Sequence, residues 1–277
     1  MISAAVTSIH IYPLKAARAV DLDDALVEPW GLAGDRRWLL VDEAGRFISQ
    51  REEPALARVV VQYTGPGGAI SVSADGHGEM SFAAPAPETG AEMLSVTVWS
   101  STVLAAAAGK DAGKWFSAFL DRPVRLVYLD DPTRRLVDPK YGAPGDVVNF
   151  ADGYPLLLTS TGSLDALADW LVETGEAPVP MNRFRPNVVV TGAEPWAEDR
   201  WRRVKIADVC FRVAKPCGRC VVTTTDQRTG ERGSQPLKML GRRRRFGLQL
   251  VFGQNIIPDA PGIIRTGDPV QVLDSAS

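Results

Sequence analysis

Short runs rich in β-branched and aromatic residues recur along the chain, bounded by glycine, proline or polar residues, as is typical of β-strands. The first run, Val6 to Tyr12, ends at Pro13, which cannot donate to a strand ladder. A hairpin is predicted around Gly45, which can supply a positive φ. The same pattern predicts further strands at Trp38 to Asp42, Arg46 to Gln50, Val59 to Tyr63, Leu94 to Ser101, Val124 to Leu129, Leu156 to Leu158, Asn187 to Thr191, Val204 to Ala207, Val209 to Val213, Val221 to Thr225 and Pro269 to Leu273.

Two stretches have helical spacing instead. Lys114 to Leu120 places aromatic and aliphatic residues four apart and stops before Pro123. A second helix is predicted by the i, i+3, i+4, i+7 spacing of Leu164, Leu167, Ala168 and Leu171. Thr161 or Ser163 is expected to cap its first turn.

The irregular regions suggest how the chain is divided. Thr64 to Gly90 is rich in glycine, proline and alanine and is interpreted as loops, while Asp130 to Gly153 is the best linker or long active-site loop. The fold class is therefore mainly β with short helices (α+β). We expect domains at 1–125 and 126–277, with the first ~36 residues able to pack with the second domain.

Composition excludes several classes of protein. The 277 residues are 45% hydrophobic and 23% charged, which is typical of a soluble globular chain. A net charge of -2 gives no global attraction to nucleic acid or to an anionic membrane, and neither partner is predicted. The N-terminal sequence lacks a cationic, then apolar, signal segment. The expected location is cytoplasmic.

The cysteines carry the most informative chemistry. Three cysteines are too few for a disulfide framework, and two histidines leave a four-ligand zinc site short of donors. Cys217 and Cys220 flank Gly218 and Arg219, and Lys215 and Arg219 are expected to favour a thiolate. The pair can be a reactive dithiol, half a zinc site or two buried residues. A thioredoxin-like dithiol is disfavoured, because a β-rich run follows where that fold needs a helix.

Other segments suit an anionic ligand, but each also has a plain structural explanation. The turn at Thr159 to Ser163 opens a helix and suits a phosphate or simple capping. Two arginines in Asn182 to Asn187 can clamp an anion or lie in a solvated loop. Asp35 and Arg36, with Lys15 earlier, can meet phosphate or form a surface pair. Phe252 to Asn255 can approach a ligand or turn into a strand. Arg242 to Arg245 can be a solvated loop or a docking patch for an acidic partner.

Read in order, these motifs resemble the MOSC proteins, named for the molybdenum cofactor sulfurase C-terminal domain, and within them the group of the mitochondrial amidoxime-reducing component. The resemblance covers nearly the whole chain. Its amino-terminal motifs are IYPLK and GDRRWLLVDEAGRFISQREEP, and its core motifs are RFRPNVVV, KPCGRCVVTTTDQRTG, FGQN and IIRTGDPVQVL. It implies an N-terminal β-barrel-like domain and a MOSC β-barrel core.

The resemblance also implies a pyranopterin molybdenum cofactor (Mo-molybdopterin) whose metal receives one protein thiolate. Cys220 matches the family's ligand and is the predicted catalytic residue, whereas Cys217 matches a position that is not the ligand. The predicted cofactor-binding residues are Lys15, Arg36, Thr159, Ser160, Thr161, Arg185, Asn187, Cys217, Arg219 and Asn255. Ala16 departs from relatives that carry a small polar residue there, which removes one expected hydrogen bond.

The function implied is reduction of N-hydroxylated small molecules such as amidoximes, hydroxylamines and N-hydroxylated bases. The chain lacks the cysteines of an appended iron–sulfur domain, so a separate ferredoxin-, flavodoxin- or cytochrome-like protein is expected to supply electrons. The alternative is a cofactor or sulfur carrier, with Cys220 as a persulfide or transient ligand. Pyridoxal phosphate binding is a family-level term, but a fused pyridoxal-phosphate desulfurase domain does not fit in this length.

Overall fold

The computed structural model describes residues 4–65, 68–86, 88 and 90–276. Strands dominate it, which confirms the predicted fold class. The strands are β1 (Ala5–Ile11), β2 (Val20–Leu22), β3 (Asp24–Glu28), β4 (Gly31–Leu32), β5 (Trp38–Val41), β6 (Val60–Tyr63), β7 (Ile70–Ala74), β8 (Gly78–Phe82), β9 (Met93–Val98), β10 (Ser101–Ala107), β11 (Arg125–Tyr128), β12 (Leu156–Ser160), β13 (Val188–Thr191), β14 (Trp201–Ile206), β15 (Val209–Gly218), β16 (Arg245–Phe246), β17 (Gln249–Pro258), β18 (Gly262–Arg265) and β19 (Val270–Ser275).

Helical segments are short. The α-helices are α1 (Lys110–Leu120), α2 (Thr161–Glu173) and α3 (Leu237–Arg243). Turns of 3₁₀ helix cover Pro54–Arg58, Pro132–Arg134, Met181–Phe184, Ala197–Asp199 and Val221–Thr224. No helix in the described ranges is long and apolar enough to cross a bilayer.

The largest sheet carries both ends of the chain. Its strand order is β19-β14-β15-β17-β12-β13-β1-β2, with β16 on β17, and β12 and β13 are parallel. β1 pairs with β13, and β3 pairs with β18, so the first strands lie in the sheets of the C-terminal half. The division of the chain at residue 125 stays a prediction.

The N-terminal half has its own sheets, β5-β11-β10-β9 and β6-β7-β8, and its own core around Trp38 and Phe116. Here two sequence predictions were wrong. Thr64 to Gly90 is not only loop, because Ile70, Val72 and Phe82 fall on the buried faces of β7 and β8. Residues 66, 67, 87 and 89 of that stretch, like 1–3 and 277 at the chain ends, lie outside the described residues.

Arg46 to Gln50 is also not a regular strand. Gly45 has the predicted positive φ of 74°, and the Asp42 carboxylate accepts from the backbone N–H of Ala44 and Arg46. Beyond single bridges the segment leaves the sheet, and the Gln50 side chain donates to the Ala16 carbonyl at 2.6 Å. The Gln50 side chain is thus used in a long-range contact with the segment after β1.

The β-branched run Val221 to Thr225 predicts a strand, but Val221–Thr224 forms a 3₁₀ turn. The hydroxyls of Thr223 and Thr224 donate to the carbonyls three residues earlier, Cys220 and Val221, at 2.9 and 2.8 Å. These local side-chain bonds satisfy backbone acceptors that a strand would offer to a neighbour.

Gly253 sits inside β17, where the sequence allowed a turn into a strand or a close approach to a ligand. Its φ is +75°, and a Cβ there would lie 2.7 Å from the Leu158 carbonyl oxygen and 2.8 Å from Thr159 Cγ2. The close approach is therefore to β12 of the same sheet.

We expect Gly253→Ala to destabilise the protein by about 2 to 5 kcal/mol, since it adds overpacking to the cost of a left-handed backbone. Gly247→Ala is the matched control, because Gly247 has φ +59° but a Cβ added there would have no atom within 4 Å. That control should lose only about 1 kcal/mol. Urea denaturation of both variants checks the difference, and equal losses would contradict the steric argument.

Candidate functional site

One cleft, which we call the central cleft, lies where the N-terminal half meets the large sheet. It measures about 910 Å³, counting the part open to solvent, and side chains from the regions of Lys15, Gln50, Asp152, Arg185, Cys220 and Asn255 line it. It brings together most of the predicted site residues, namely Lys15, Arg36, Arg185, Asn187, Cys217, Arg219, Cys220 and Asn255.

Thr159, Ser160 and Thr161 are not among the residues that line the cleft. The first two are fully buried, Thr159 Oγ1 lies 3.3 Å from Met181 Sδ, and Thr161 bonds to Thr191 instead. The start of α2 is covered, since a Cβ at Gly162 would lie 2.5 Å from the Ala193 carbonyl oxygen. The structure therefore does not place this helix start as the predicted phosphate site.

The predicted capping of α2 was also wrong. Its N-cap is Ser160, which makes no side-chain capping bond. Ser163 is turned away to other partners: its hydroxyl donates to Glu198 Oε2 and accepts from the Trp196 backbone N–H, both at 2.8 Å. Burial raises the pKa of Glu198, and the bond from Ser163 opposes that rise.

The two cysteines of the cleft differ in their surroundings. Burial raises the pKa of Cys217, and the charges of Arg219 and Lys215 oppose this without reversing it. The two charges therefore act in the predicted direction, but burial outweighs their effect at Cys217. Cys220 begins the 3₁₀ turn, and within the described residues no hydrogen bond reaches its Sγ. All the cysteines are free thiols.

Arg219, which lies between the two cysteines, stabilises the loop Cys217 to Cys220 by hydrogen bonds to backbone carbonyls. Its Nε and Nη2 donate to the Phe252 carbonyl at 2.9 and 2.7 Å, and its Nη1 donates to the Phe184 carbonyl at 3.0 Å. Asn255 Nδ2 donates to the Lys215 carbonyl at 3.3 Å on the neighbouring strand. Both residues thus hold β15 and β17 in place beside the thiols.

Arg36 and Arg185 pack together on the ring of Tyr12, with their Cζ atoms 4.4 and 4.2 Å from its centroid. Burial lowers the pKa of Arg185 to about 10 and raises the pKa of Tyr12 to about 12. Arg36 Nη1 donates to the side chains of Asp35 and Asn187 at 2.6 and 2.8 Å. The sequence suggested a surface Asp35–Arg36 pair, but Asp35 is fully buried.

Asn187 is occupied by the protein itself. Its Oδ1 accepts from Arg36 and from the Leu157 backbone N–H, and its Nδ2 donates to the His10 carbonyl at 3.1 Å. Although it lines the cleft, its side chain chiefly connects β1, β12 and the loop before β13 by hydrogen bonds. Its predicted contact with a cofactor stays a prediction.

The pair Arg183 and Arg185 does not form a two-armed clamp. Arg183 donates to the Thr224 carbonyl and pairs with Asp226 at 3.0 Å. Arg185, in the left-handed region at φ 55°, turns instead to Gln227 Oε1 at 2.9 Å. The two guanidinium groups therefore serve different partners.

Sequence reasoning missed Asp152 and Arg51. Lys15 Nζ donates to Asp152 Oδ1 at 2.6 Å and to the Phe150 carbonyl at 2.8 Å, and Arg51 lies 3.9 Å from the same carboxylate. Burial lowers the pKa of Lys15 to about 8, while Asp152 pulls it upward. The Asp152 side chain is 62% exposed, and Lys15 and Arg51 hold its pKa well below its usual range. The one sequence feature that could have pointed to Asp152 was the Asp and Gly content of the Asp130 to Gly153 loop.

The charge balance of the central cleft is positive. Among the described residues, its lining includes a single carboxylate, Asp152, and a larger set of cations: Lys15, Arg36, Arg51, Arg183, Arg185 and Arg219. Among the same described residues, no carboxylate lies within ion-pair distance of Arg185 or Arg219. The protein therefore does not neutralise the charges of these two arginines. Unpaired guanidinium groups beside a cavity suit an anionic ligand.

The central cleft offers few side chains that could bind a metal, and those are soft sulfur donors. No group of three or more His, Cys, Asp or Glu side chains is placed to hold a metal ion within the residues described. Two thiols line the cleft, and a thiolate suits a soft or transition metal. The residues therefore fit a metal that arrives in an anionic group with most of its own ligands.

Comparison with known proteins identifies two family domains along the chain. Residues 3–123 match the MOSC N-terminal beta barrel domain, and residues 145–271 match the MOSC domain. Mitochondrial amidoxime-reducing component 1 of Homo sapiens is 31% identical, covering 97% of this chain and 82% of its own length. Component 2 of Homo sapiens is 28% identical over 96% and 82%. Molybdenum cofactor sulfurase of Danio rerio is 28% identical over 87% of this chain, but only 31% of its own length.

The Lys15–Asp152 pair gives a test by titration. We expect the pKa of Lys15 to lie near 8 rather than at its ordinary 10.5. Because the Asp152 carboxylate favours the ammonium form, Asp152→Asn should lower the pKa of Lys15 further. NMR of protein carrying ¹³Cε-labelled lysine measures both values.

Asp208→Asn is the control, since Asp208 pairs with Lys205 at an exposed site, at 3.2 Å. It should leave the Lys15 titration unchanged. A wild-type pKa near 10.5 would show that the cleft does not desolvate this lysine, and a rise in Asp152→Asn would show that the Asp152 charge does not favour the ammonium form.

Proposed function

Because the chain belongs to the family of MOSC proteins with an N-terminal MOSC β-barrel domain that includes the mitochondrial amidoxime-reducing components, we propose that it is a molybdenum-cofactor-dependent reductase of N-hydroxylated small molecules. The proposed substrates are amidoximes, hydroxylamines and N-hydroxylated bases. The proposed location is the cytoplasm.

The observation that carries the proposal is the pairing of a thiol with unneutralised cations in one cleft. Cys220 lines the central cleft with a sulfur that no described residue hydrogen-bonds, and Arg185 and Arg219 line it without carboxylate partners. A structural dithiol alone would leave the cost of these partly buried, unpaired charges unexplained. An anionic cofactor with a thiolate-binding metal accounts for both.

In this proposal each residue has a definite task. Cys220 Sγ is the protein's thiolate ligand, while Cys217, with its raised pKa, stays a neutral neighbour. Arg185, Arg51 and Lys15 hold the phosphate and pterin, and Arg36 and Asn187 keep Arg185 and the β1 end in place. When bound, the cofactor supplies the two-electron chemistry.

The net reaction for a hydroxylamine is R–NHOH + 2 e⁻ + 2 H⁺ → R–NH₂ + H₂O, so the N–O bond breaks and its oxygen leaves as water. We propose that a separate electron-transfer protein supplies the electrons, since the amidoxime-reducing relatives are named as components.

A second candidate is a carrier of cofactor or sulfur, favoured by the similarity to molybdenum cofactor sulfurase. In that case Cys220 would bind the cofactor transiently or hold a persulfide. Turnover separates the two. A reductase retains molybdenum and reduces benzamidoxime with dithionite-reduced methyl viologen, whereas a carrier transfers cofactor to an apo-enzyme and shows no turnover.

The decisive experiment is metal analysis of protein made in a host that synthesises the molybdenum cofactor. We expect Cys220→Ala to retain about a tenth or less of the wild-type molybdenum, because it loses the direct protein ligand. Cys217→Ala should retain most of it. Cys210→Ala is the matched control, since Cys210 lies on β15 outside the cleft lining.

Undiminished molybdenum in Cys220→Ala would refute the ligand assignment. Absence of molybdenum from every protein, in a host that loads a known molybdenum enzyme, would refute the proposed function as a whole.

A further inference from the structure

The run of arginines from Arg242 to Arg245 forms a defined surface. α3 ends at Arg243, and β16 and β17 then form a hairpin that turns at Gly247 and Leu248, with Arg245 opposite Leu250 and Phe246 opposite Gln249. We call Arg242 to Leu248 the arginine hairpin. It is neither a plain solvated loop nor a continuous basic face, because its residues divide into one buried anchor and an exposed set.

Arg244 is the anchor. It is buried, its Nη2 lies 2.5 Å from Asp199 Oδ2, and its guanidinium lies 4.1 Å from the centroid of Trp196. Gln254 donates to the other oxygen of Asp199 at 2.8 Å. These contacts attach the base of the hairpin to the 3₁₀ turn Ala197–Asp199.

The exposed set combines charge with apolar area. Arg242, Arg243 and Arg245 are exposed, and of these Arg243 has an acidic neighbour, Glu173, at 3.4 Å. Phe246 is 47% exposed and Leu248 is 97% exposed. The chain as a whole has a net charge of -2, so the hairpin is a positively charged surface on a weakly negative protein. Exposed apolar residues framed by arginine are the composition of a protein-binding surface.

The hairpin adjoins the cysteine loop directly. The Arg219 backbone N–H donates to the Leu250 carbonyl at 2.6 Å, and Gly218 pairs with Val251. Leu248 is two residues from Leu250, or about 7 Å along the strand. A protein that covers the tip therefore comes close to the Cys217–Cys220 edge of the central cleft.

We propose that the arginine hairpin is the docking surface for the electron donor, and that the donor is a protein with an acidic surface. This inference rests on the proposed function, which requires a reduced ferredoxin-, flavodoxin- or cytochrome-like protein to deliver two electrons per N–O bond cleaved. Complementary charge steers such a partner, and Leu248 and Phe246 supply the apolar contact that holds it.

The test is binding of full-length, cofactor-loaded protein to three acidic donors: a plant-type ferredoxin, a flavodoxin and a small acidic cytochrome. Calorimetry at low salt should detect binding of at least one. The triple variant Arg242→Glu, Arg243→Glu, Arg245→Glu should weaken that binding about tenfold or more, and added salt should weaken the wild type. Leu248→Ser should weaken it without changing the salt dependence.

The control is a matched reversal of three exposed cations elsewhere: Lys110→Glu, Arg202→Glu and Arg265→Glu. It should retain donor affinity within about threefold, since Lys110 lies on α1, Arg265 on β18 of a separate sheet, and Arg202 on β14, two strands from β17. Thermal melts establish that both triple variants are folded.

Turnover of benzamidoxime separates the two proposals. With donor protein, the hairpin variant should need about tenfold more donor for half-maximal rate, whereas with methyl viologen its rate should equal the wild type. No turnover with viologen in any protein refutes the proposed function, and calorimetry still decides the docking surface.

The docking inference is overturned if no donor binds the wild type, or if the hairpin and control variants lose affinity equally. It is also overturned if the hairpin variant keeps its donor affinity but loses binding to phosphatidylserine vesicles, because the surface would then serve a membrane.

Discussion

The buried carboxylate of Asp35 is the constraint on which the site depends. Its Oδ1 accepts from the Tyr12 backbone N–H at 2.8 Å, and its Oδ2 accepts from Arg36 at 2.6 Å and from Asn149 Nδ2 at 3.3 Å. A fully buried carboxylate is tolerated only when such partners replace water. Three distant parts of the chain, the end of β1, the turn at Arg36 and the loop before β12, must therefore meet at this one group.

That junction positions the cations of the central cleft. Arg36, fixed by Asp35, contacts Asn187 and the Arg185 carbonyl, and both guanidinium groups pack on Tyr12. Breaking a buried ion pair by removing one partner costs roughly 3 to 5 kcal/mol. The contacts that stabilise the fold thus also keep Arg185 oriented in the cleft, so the proposed ligand binding depends on the same contacts as stability.

How far the sequence predicts this site depends on the range of each interaction. Cys217 and Cys220 were identified by their spacing, which is a local feature, whereas most cationic site residues were predicted from the family resemblance of the chain as a whole. The burial of Asp35 was not predictable, since it arises from Tyr12 and Asn149, which are 23 and 114 residues away. Asp152 was missed for the same reason, as its partner Lys15 is 137 residues distant. The Val221 to Thr225 error had a local cause, because threonine hydroxyls satisfied carbonyls that β propensity assigned to a neighbouring strand.

Backbone strain at the central cleft suggests why these long-range contacts are so dense. Ala16, Arg36 and Arg185 all line the cleft, and all have positive φ, at 74°, 46° and 55°. Left-handed backbone at residues other than glycine costs of order 1 to 3 kcal/mol each and persists where the surroundings enforce it. The Ala16 carbonyl is held by Gln50, Arg36 by Asp35, and Arg185 by Gln227 and Tyr12. Each strained residue is thus fixed by a separate contact, so the cleft is organised before any ligand arrives, and a bound ligand does not have to supply the energy of ordering it.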